Sequence, residues 1–310
     1  MSDHPAPGAT RCGYVAVIGA PNVGKSTLVN RMVGAKVSIV SPKVQTTRMR
    51  VLGIAIEGQA EIIFVDTPGI FTPRRRLDRA MVAAAWTGAR DADVILLLVD
   101  AGVGCDDDTR RIVDDMITAG RPAVLAINKV DSVARETLLG LAASLNRERL
   151  ANGTPLFSDT FMISALTGDG VETVKQALAK RLPEGPWLYP EDDVTDVPLR
   201  LLAAEITREK LYLMLKQELP YASTVETETW QERDDGSVRI EQVILVERPG
   251  QKAIVLGKGG QMVKAIGAAA RAELETMLGH RVHLFLYVKV SERWAEERGR
   301  FRDLGLDFDA

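Results

Sequence analysis

Cysteine is nearly absent from these 310 residues, with Cys12 and Cys105 the only two. They are too few and too far apart for a disulfide framework or a thiolate zinc site, and their scarcity predicts a chain suited to a reducing cytosol. Histidine is scarce too. His280 and His283 sit close together but have no cysteine or carboxylate at ligand spacing, which predicts structural or surface roles rather than a metal site. No apolar run approaches the roughly 18 residues of a membrane-spanning helix; the run VILLLV at 94–99 has the length of a buried strand. The opening MSDHPAPGATRCGY has no apolar stretch, which predicts no secretory signal. Neither sign of charge dominates: 39 Lys and Arg against 42 Asp and Glu leave a net charge of −3, so any nucleic-acid surface must be local. There is no internal repeat and no low-complexity tract.

What is present is an ordinary globular composition, 46% hydrophobic and 26% charged, in a length that suggests about two domains. Continuous Val/Ile/Leu runs at 14–19, 61–66, 93–100, 122–128 and 161–165 predict strands buried on both faces. Helical patterns at 26–33, 77–89, 106–119, 135–149 and 171–181 lie between them. That alternation predicts an α/β, doubly wound, mostly parallel sheet. The segment RLPEGPWLYPEDDVTDVP at 181–198 holds four prolines and five acidic residues, and is expected to be a linker. Beyond it come an amphipathic helix at 199–218, a hairpin turning at Asp235-Gly236, two helices around a glycine loop ending near 278, and a strand at 282–290. The order α-β-β-α-α-β predicts a smaller α+β domain. The expected division is a flexible start at 1–12, a nucleotide domain at 13–182, a linker at 183–198, an α+β domain at 199–291 and a charged tail at 292–310, helical to about 301.

The segment GAPNVGKST fits the phosphate-loop pattern and falls after a strand and before a helix. Gly19 to Thr27, through Pro21, Asn22, Val23 and Gly24, can turn backbone N–H groups inward as an anion nest. Lys25 supplies charge for the outer phosphates and Ser26 a Mg²⁺ ligand. Four further segments choose the base. Asp66-Thr-Pro-Gly69 closes a strand, where Asp66 can hold Mg²⁺ through water and the Gly69 N–H can sense a γ-phosphate. In Asn128-Lys129-Val130-Asp131, the Asp131 carboxylate can accept from guanine N1–H and N2–H₂, a pair that adenine lacks. Ser164-Ala165-Leu166 can bring a backbone N–H to guanine O6. Gln45-Thr46-Thr47-Arg48 can close a threonine over the metal. Together they predict GTP·Mg²⁺. A water-positioning glutamine is missing after Gly69, where Ile70 and Phe71 stand, which predicts slow intrinsic hydrolysis. Arg74, Arg75 and Arg76 suit an arginine finger, an RNA contact or a solvated switch face.

The second glycine loop, Gly257-Lys258-Gly259-Gly260, cannot be a nest of the first type because it lacks the Lys-Ser/Thr pair. Its setting, helix to helix with a hairpin before and a strand after, resembles a KH domain of the type II order. In such a module the loop clamps the backbone of about four unpaired nucleotides beside an apolar groove. Ile254, Val255, Val263 and Ile266 are candidates for that groove, although apolar residues at helical spacing also build cores; Lys258 and Lys264 add charge. From 248 to 302 there are 11 Lys and Arg against 5 Asp and Glu, a local basic footprint. Trp294 suits base stacking or packing against the module.

The set GAPNVGKST, QTTR, DTPG, NKVD and SAL, followed by this module, is similar from about residue 14 to about 304 to the Era-like family of bacterial GTPases. The resemblance implies a P-loop GTPase domain joined to a KH domain, with GTP or GDP and Mg²⁺ as cofactors. It also implies the 3′ region of small-subunit ribosomal RNA and the pre-30S particle as partners, RNA rather than DNA as ligand, and a role in 30S maturation. A monomer in the cytoplasm, with a family tendency toward peripheral association with the inner membrane, is the expected form. Related TTR and VTR forms share the residue before the arginine, which favours Thr47 over Thr46 on Mg²⁺. Two other classes stand against this: a signalling or membrane-peripheral GTPase whose second module binds protein or lipid, and an ATP-dependent enzyme, which Asn128 to Asp131 oppose.

Overall fold

The computed structural model describes residues 10–216 and 218–310. They fall into two compact units, one from 10–38, Thr47–Asp196 and Leu304–Ala310, the other from Ile39–Thr46 and Val197–Asp303.

In the first unit the chain runs β1 (Arg11–Ile18), α1 (Lys25–Val33), β2 (Val51–Glu57), β3 (Ala60–Asp66), α2 (Arg76–Asp91), β4 (Val94–Asp100), α3 (Asp107–Thr118), β5 (Ala123–Asn128), α4 (Arg135–Leu145), β6 (Phe157–Met162) and α5 (Val171–Ala179). The sheet order is β2-β3-β1-β4-β5-β6. All neighbours are parallel except β2 and β3. Val15, Ala16, Val17 and Ile18 of β1 are wholly buried, as a strand covered on both faces must be. Strand β2 is an addition to the sequence reading. Its pattern is broken by Gly53, where a Cβ would come within 3.2 Å of Val29, Val33 and Val37 side chains, so α1 lies against bare backbone there. β1 also begins at Arg11, earlier than the apolar run indicates.

The proline-rich stretch is strapped to this sheet. Glu61, buried on β3, accepts the N–H groups of Leu188 at 2.7 Å and Tyr189 at 3.0 Å, and the Cys12 thiol at 2.9 Å. Trp187 Nε1 donates to Gln59 O, Thr195 Oγ1 to Leu52 O, and Ile54 N to Val194 O.

The second unit contains α6 (Leu199–Met214), β7 (Ser223–Glu232), β8 (Val238–Val246), α7 (Pro249–Leu256), α8 (Gln261–Leu278), β9 (Val282–Val290) and α9 (Arg298–Asp303). Strands β7 and β8 form the antiparallel hairpin and β9 lies parallel to β8. One face of this sheet meets the helices through Val225, Ile244, Val246, Val255, Ile266 and Val288. The segment Ile39–Thr46 is carried on α6: Val40 N–H donates to Glu209 at 2.8 Å, Lys43 Nζ to the Tyr212 and Leu215 carbonyls, and Arg208 to Thr46 O. No helix among the described residues is long and apolar enough to cross a membrane.

Candidate nucleotide site and glycine-loop groove

Parallel strands deliver their C-terminal ends to one edge, where a doubly wound sheet places its ligands. β1 runs into Gly19, β3 ends at Asp66, β5 at Asn128, and the chain after β6 turns through Ser164. Registers Val17↔Asp66 and Asp100↔Asn128 hold these ends level.

The phosphate loop turns on three residues with left-handed or related φ: Gly19 at 151°, Asn22 at 62° and Gly24 at 101°. A Cβ on Gly24 would stand 2.4 Å from Asn128 Nδ2, so only glycine lets the loop approach that side chain. Lys25 opens α1 almost fully buried, its Nζ 3.0 Å from both Gly19 O and Ala20 O. Burial lowers its ammonium to about 8, although Asp66 pulls the other way. Ser26 Oγ donates to Asp66 Oδ2 at 2.7 Å and lies 2.8 Å from Thr47 Oγ1. Burial pushes Asp66 above the usual carboxylate range, while Ser26, Ser38, Lys25 and Thr47 pull it back. Asp66 Oδ1 is buried and has no hydrogen-bond partner among the described residues. Three hard oxygen donors with one carboxylate oxygen unspent fit a Mg²⁺ ion.

Of the two candidate threonines, Thr47 meets Ser26, whereas Thr46 Oγ1 is turned to Lys43 O and Ser41 Oγ, both at 2.6 Å. Gly69 lies against the phosphate loop: a Cβ there would be 2.9 Å from Pro21 Cα, and the next N–H, that of Ile70, donates to Gly19 O. Ile70 is 2% exposed and belongs to the core cluster that includes Ala85 and Ala89 of α2.

On the base side, Asn128 is a brace. Its Nδ2 donates to Val23 O at 2.7 Å and its Oδ1 accepts the Ala165 N–H at 2.8 Å. The Ala165 N–H, one of the backbone donors in the Ser164–Leu166 loop, is thus engaged by Asn128. Lys129, at φ 65°, spans Asn22 O at 2.8 Å and Asp100 at 2.6 Å. Asp131 is exposed in the 3-10 turn after β5, and Leu166 is exposed beyond Ser164, which is buried and caps its own loop through Thr167 N–H. Asp100, Ser38 and Arg31 were not singled out in the sequence. Arg31 on α1 donates to the carbonyls of Ala165 and Leu166, pinning the loop after β6. No local pattern announces such partners, because they meet only through the fold.

In the second unit the glycine loop bends at Gly257, Gly259 and Gly260, with φ of 72°, 58° and 77°. A Cβ at Gly257 would sit 2.7 Å from Met262 Cβ, whereas Gly259 faces open space beside the exposed Lys258. Ile254 is 59% exposed, Val263 half-buried and Lys264 exposed. Val255 and Ile266 are corrections to the groove assignment. Both are wholly buried in the core; on α7 successive residues point about 100° apart, so Val255 turns inward where Ile254 takes the outward direction, and on α8 Ile266 lies on the inward face with Ala270 and Leu274. Trp294 packs rather than stacks, 2% exposed with its Nε1 donating to Ala222 O. No cluster of potential metal ligands occurs among the described residues, His280 and His283 included.

Residues 14–129 match the family model for 50S ribosome-binding GTPases, and residues 218–295 match that for KH domains. Over 299 residues the chain is 62% identical to GTPase Era of Rhizobium meliloti (strain 1021), covering 96% of this chain and 94% of the relative. It is 57% identical to GTPase Era of Caulobacter vibrioides (strain NA1000 / CB15N), covering 97% and 98%. A crystal structure of Era in complex with MgGDPNP and nucleotides 1506–1542 of 16S ribosomal RNA superposes with a TM-score of 0.89 at 40% identity, over 96% of this chain and 99% of that one. One of an Aquifex aeolicus Era point variant bound to GDP·AlF4− matches equally well, again at 0.89 and 40%.

Proposed function

Because the chain belongs to the Era family of GTPases, we propose that it binds and slowly hydrolyses GTP with Mg²⁺, and that its KH domain holds the 3′ region of small-subunit ribosomal RNA during 30S maturation. The observation that carries the nucleotide half is the meeting of Thr47 and Asp66 on Ser26, at 2.8 and 2.7 Å from its Oγ, beside the buried Lys25. Ser26, Thr47 and Asp66 hold the Mg²⁺, which supplies charge neutralisation at the phosphates when bound. Gly19 to Thr27 wrap the phosphates, Asn22 to Thr27 with backbone N–H groups and Pro21 without one, Lys25 meets the outer phosphates, and Gly69 senses the γ-phosphate. Asp131 reads the guanine edge, and Asn128 holds the phosphate loop and the Ser164–Leu166 loop in register for it. With an apolar Ile70 held in the core after Gly69, where a glutamine would orient the attacking water, turnover rests on Lys25, Mg²⁺ and backbone dipoles.

The RNA half is supported by the exposed Lys258-Gly259 turn flanked by Ile254, Val263 and Lys264, and by the ribosomal RNA bound to the related Era. Residues 13–182 then act as the nucleotide domain and 199–291 as the RNA module, in the cytoplasm and with the family's tendency toward the inner-membrane surface. The test is binding of an oligonucleotide from the 3′ end of small-subunit ribosomal RNA with a non-hydrolysable GTP analogue, with GDP and without nucleotide. We expect tight binding with the GTP analogue, lost in Lys258→Asp/Gly259→Asp. Retention of binding in that variant would remove the glycine loop from the site.

A further inference from the structure

Arg74, Arg75, Arg76 and Arg79 surround the start of α2, and all four side chains are exposed. The single acid among them, Asp78, is buried and accepts the backbone N–H groups of Arg74 and Arg75, each at 3.0 Å, so it orders the arginine row from below. Among the described residues none of the four guanidinium groups forms an ion pair with a carboxylate. Arg76 and Arg79, three apart, share one face of α2, and Arg75 precedes them as its N-cap. Arg111 adjoins the row through its hydrogen bond to Thr72. One segment already lies on this surface. Phe308 stacks under Arg76 with its ring centroid 4.3 Å from the guanidinium carbon, in a stretch, Leu304–Ala310, that carries Asp307 and Asp309 but no cation. Leu306 anchors that stretch at 6% exposure.

We propose that Arg74, Arg75, Arg76 and Arg79 form a second RNA contact, which grips the phosphate backbone of duplex RNA, and that the segment Leu304–Ala310 covers this contact in competition with the RNA. Guanidinium forks match phosphate oxygens two at a time, which is why arginine rather than lysine builds such surfaces. The row offers charge but no free aromatic face, since Phe308 is itself stacked on Arg76, so it reads backbone rather than unpaired bases. An aromatic ring flanked by carboxylates, laid on arginines, imitates a stacked base between phosphates. The contact rests on the chain being an RNA binder, as proposed above, but uses none of the glycine-loop residues.

The experiment measures a blunt RNA duplex and a short unpaired RNA in parallel, by fluorescence anisotropy on the full chain. Arg75→Gln/Arg76→Gln/Arg79→Gln should weaken the duplex at least tenfold near 0.1 M salt and reduce its salt slope by about 2–3, one unit per lost phosphate contact. The unpaired RNA should be unaffected. Phe308→Ala should strengthen the duplex about two- to fivefold, the worth of an exposed cation–π contact. Lys258→Asp/Gly259→Asp should abolish only the unpaired RNA. A matching Arg→Lys triple, which keeps the charge, should recover part of the duplex affinity; thermal melts check that each variant is folded. Duplex binding indifferent to the arginines, or a Phe308→Ala variant that gains nothing, overturns the inference. Should the unpaired RNA fail to bind the parent chain, the glycine-loop assignment falls while the duplex arms still decide this one.

Discussion

Lys25 shows that one side chain can serve the ligand at the expense of the fold. Its ammonium is buried and lowered to about 8 from 10.5, so below pH 8 the folded chain keeps a proton where burial disfavours it, at a cost of about 3 kcal/mol. Between about 8 and 10.5 the unfolded chain binds that proton and the folded one releases it, so stability rises with pH across the window. Lys25→Met should therefore be the more stable chain near pH 7, by up to about 3 kcal/mol, with the gain shrinking toward pH 10. Urea titrations without nucleotide at several pH values measure this, and the same variant should lose tight GTP binding. A gain that grew with pH would contradict it. Ile70 makes the complementary point. Replacing it by glutamine, in the hope of restoring a water-orienting group, should not raise turnover, because the position lies in the core. Burying the amide there should instead cost about 2–4 kcal/mol, read from urea midpoints alongside single-turnover hydrolysis.

At the scale of elements, the stretch from 183 to 196 is composed like a loose linker yet behaves as a strap. Glu61 takes two of its backbone N–H groups and the Cys12 thiol, which burial and then that bond push up to about 12. Removing the acceptor leaves two N–H groups without partners. Glu61→Ala should destabilise the chain by about 2–4 kcal/mol, and Glu61→Gln by less, because one carbonyl oxygen remains. Amide exchange at Leu188 and Tyr189 should accelerate in step with the loss. Unchanged exchange there would show that the strap is held by its side chains and not by Glu61.

For the whole molecule, net charge misleads. A chain at −3 concentrates 11 cations against 5 anions between 248 and 302. Its affinity for single-stranded RNA should therefore fall with salt as for a basic protein, by about 0.7 in slope for each phosphate contact. Lys258→Gln and Lys264→Gln should each lower that slope by one contact's worth, in binding isotherms at several salt concentrations. A slope indifferent to both would place the RNA elsewhere.

The sequence by itself determined what depends on neighbours along the chain. The phosphate loop was legible because Gly19, Gly24, Lys25 and Ser26 need only a strand before them and a helix after. The α-β-β-α-α-β order was legible because periodicity and turn residues are local signals. Strand β2 was not, since Gly53 breaks its apolar pattern for the sake of α1 packed against it. The tertiary structure alone decided which apolar residues of α7 and α8 are core, that Thr47 rather than Thr46 meets Ser26, that Asn128 spends the Ala165 N–H, and that Glu61 ties down the strap. The physical reason is shared by all four. Burial and hydrogen-bond partnership are settled between residues tens of positions apart, where no spacing in the sequence records which group will arrive.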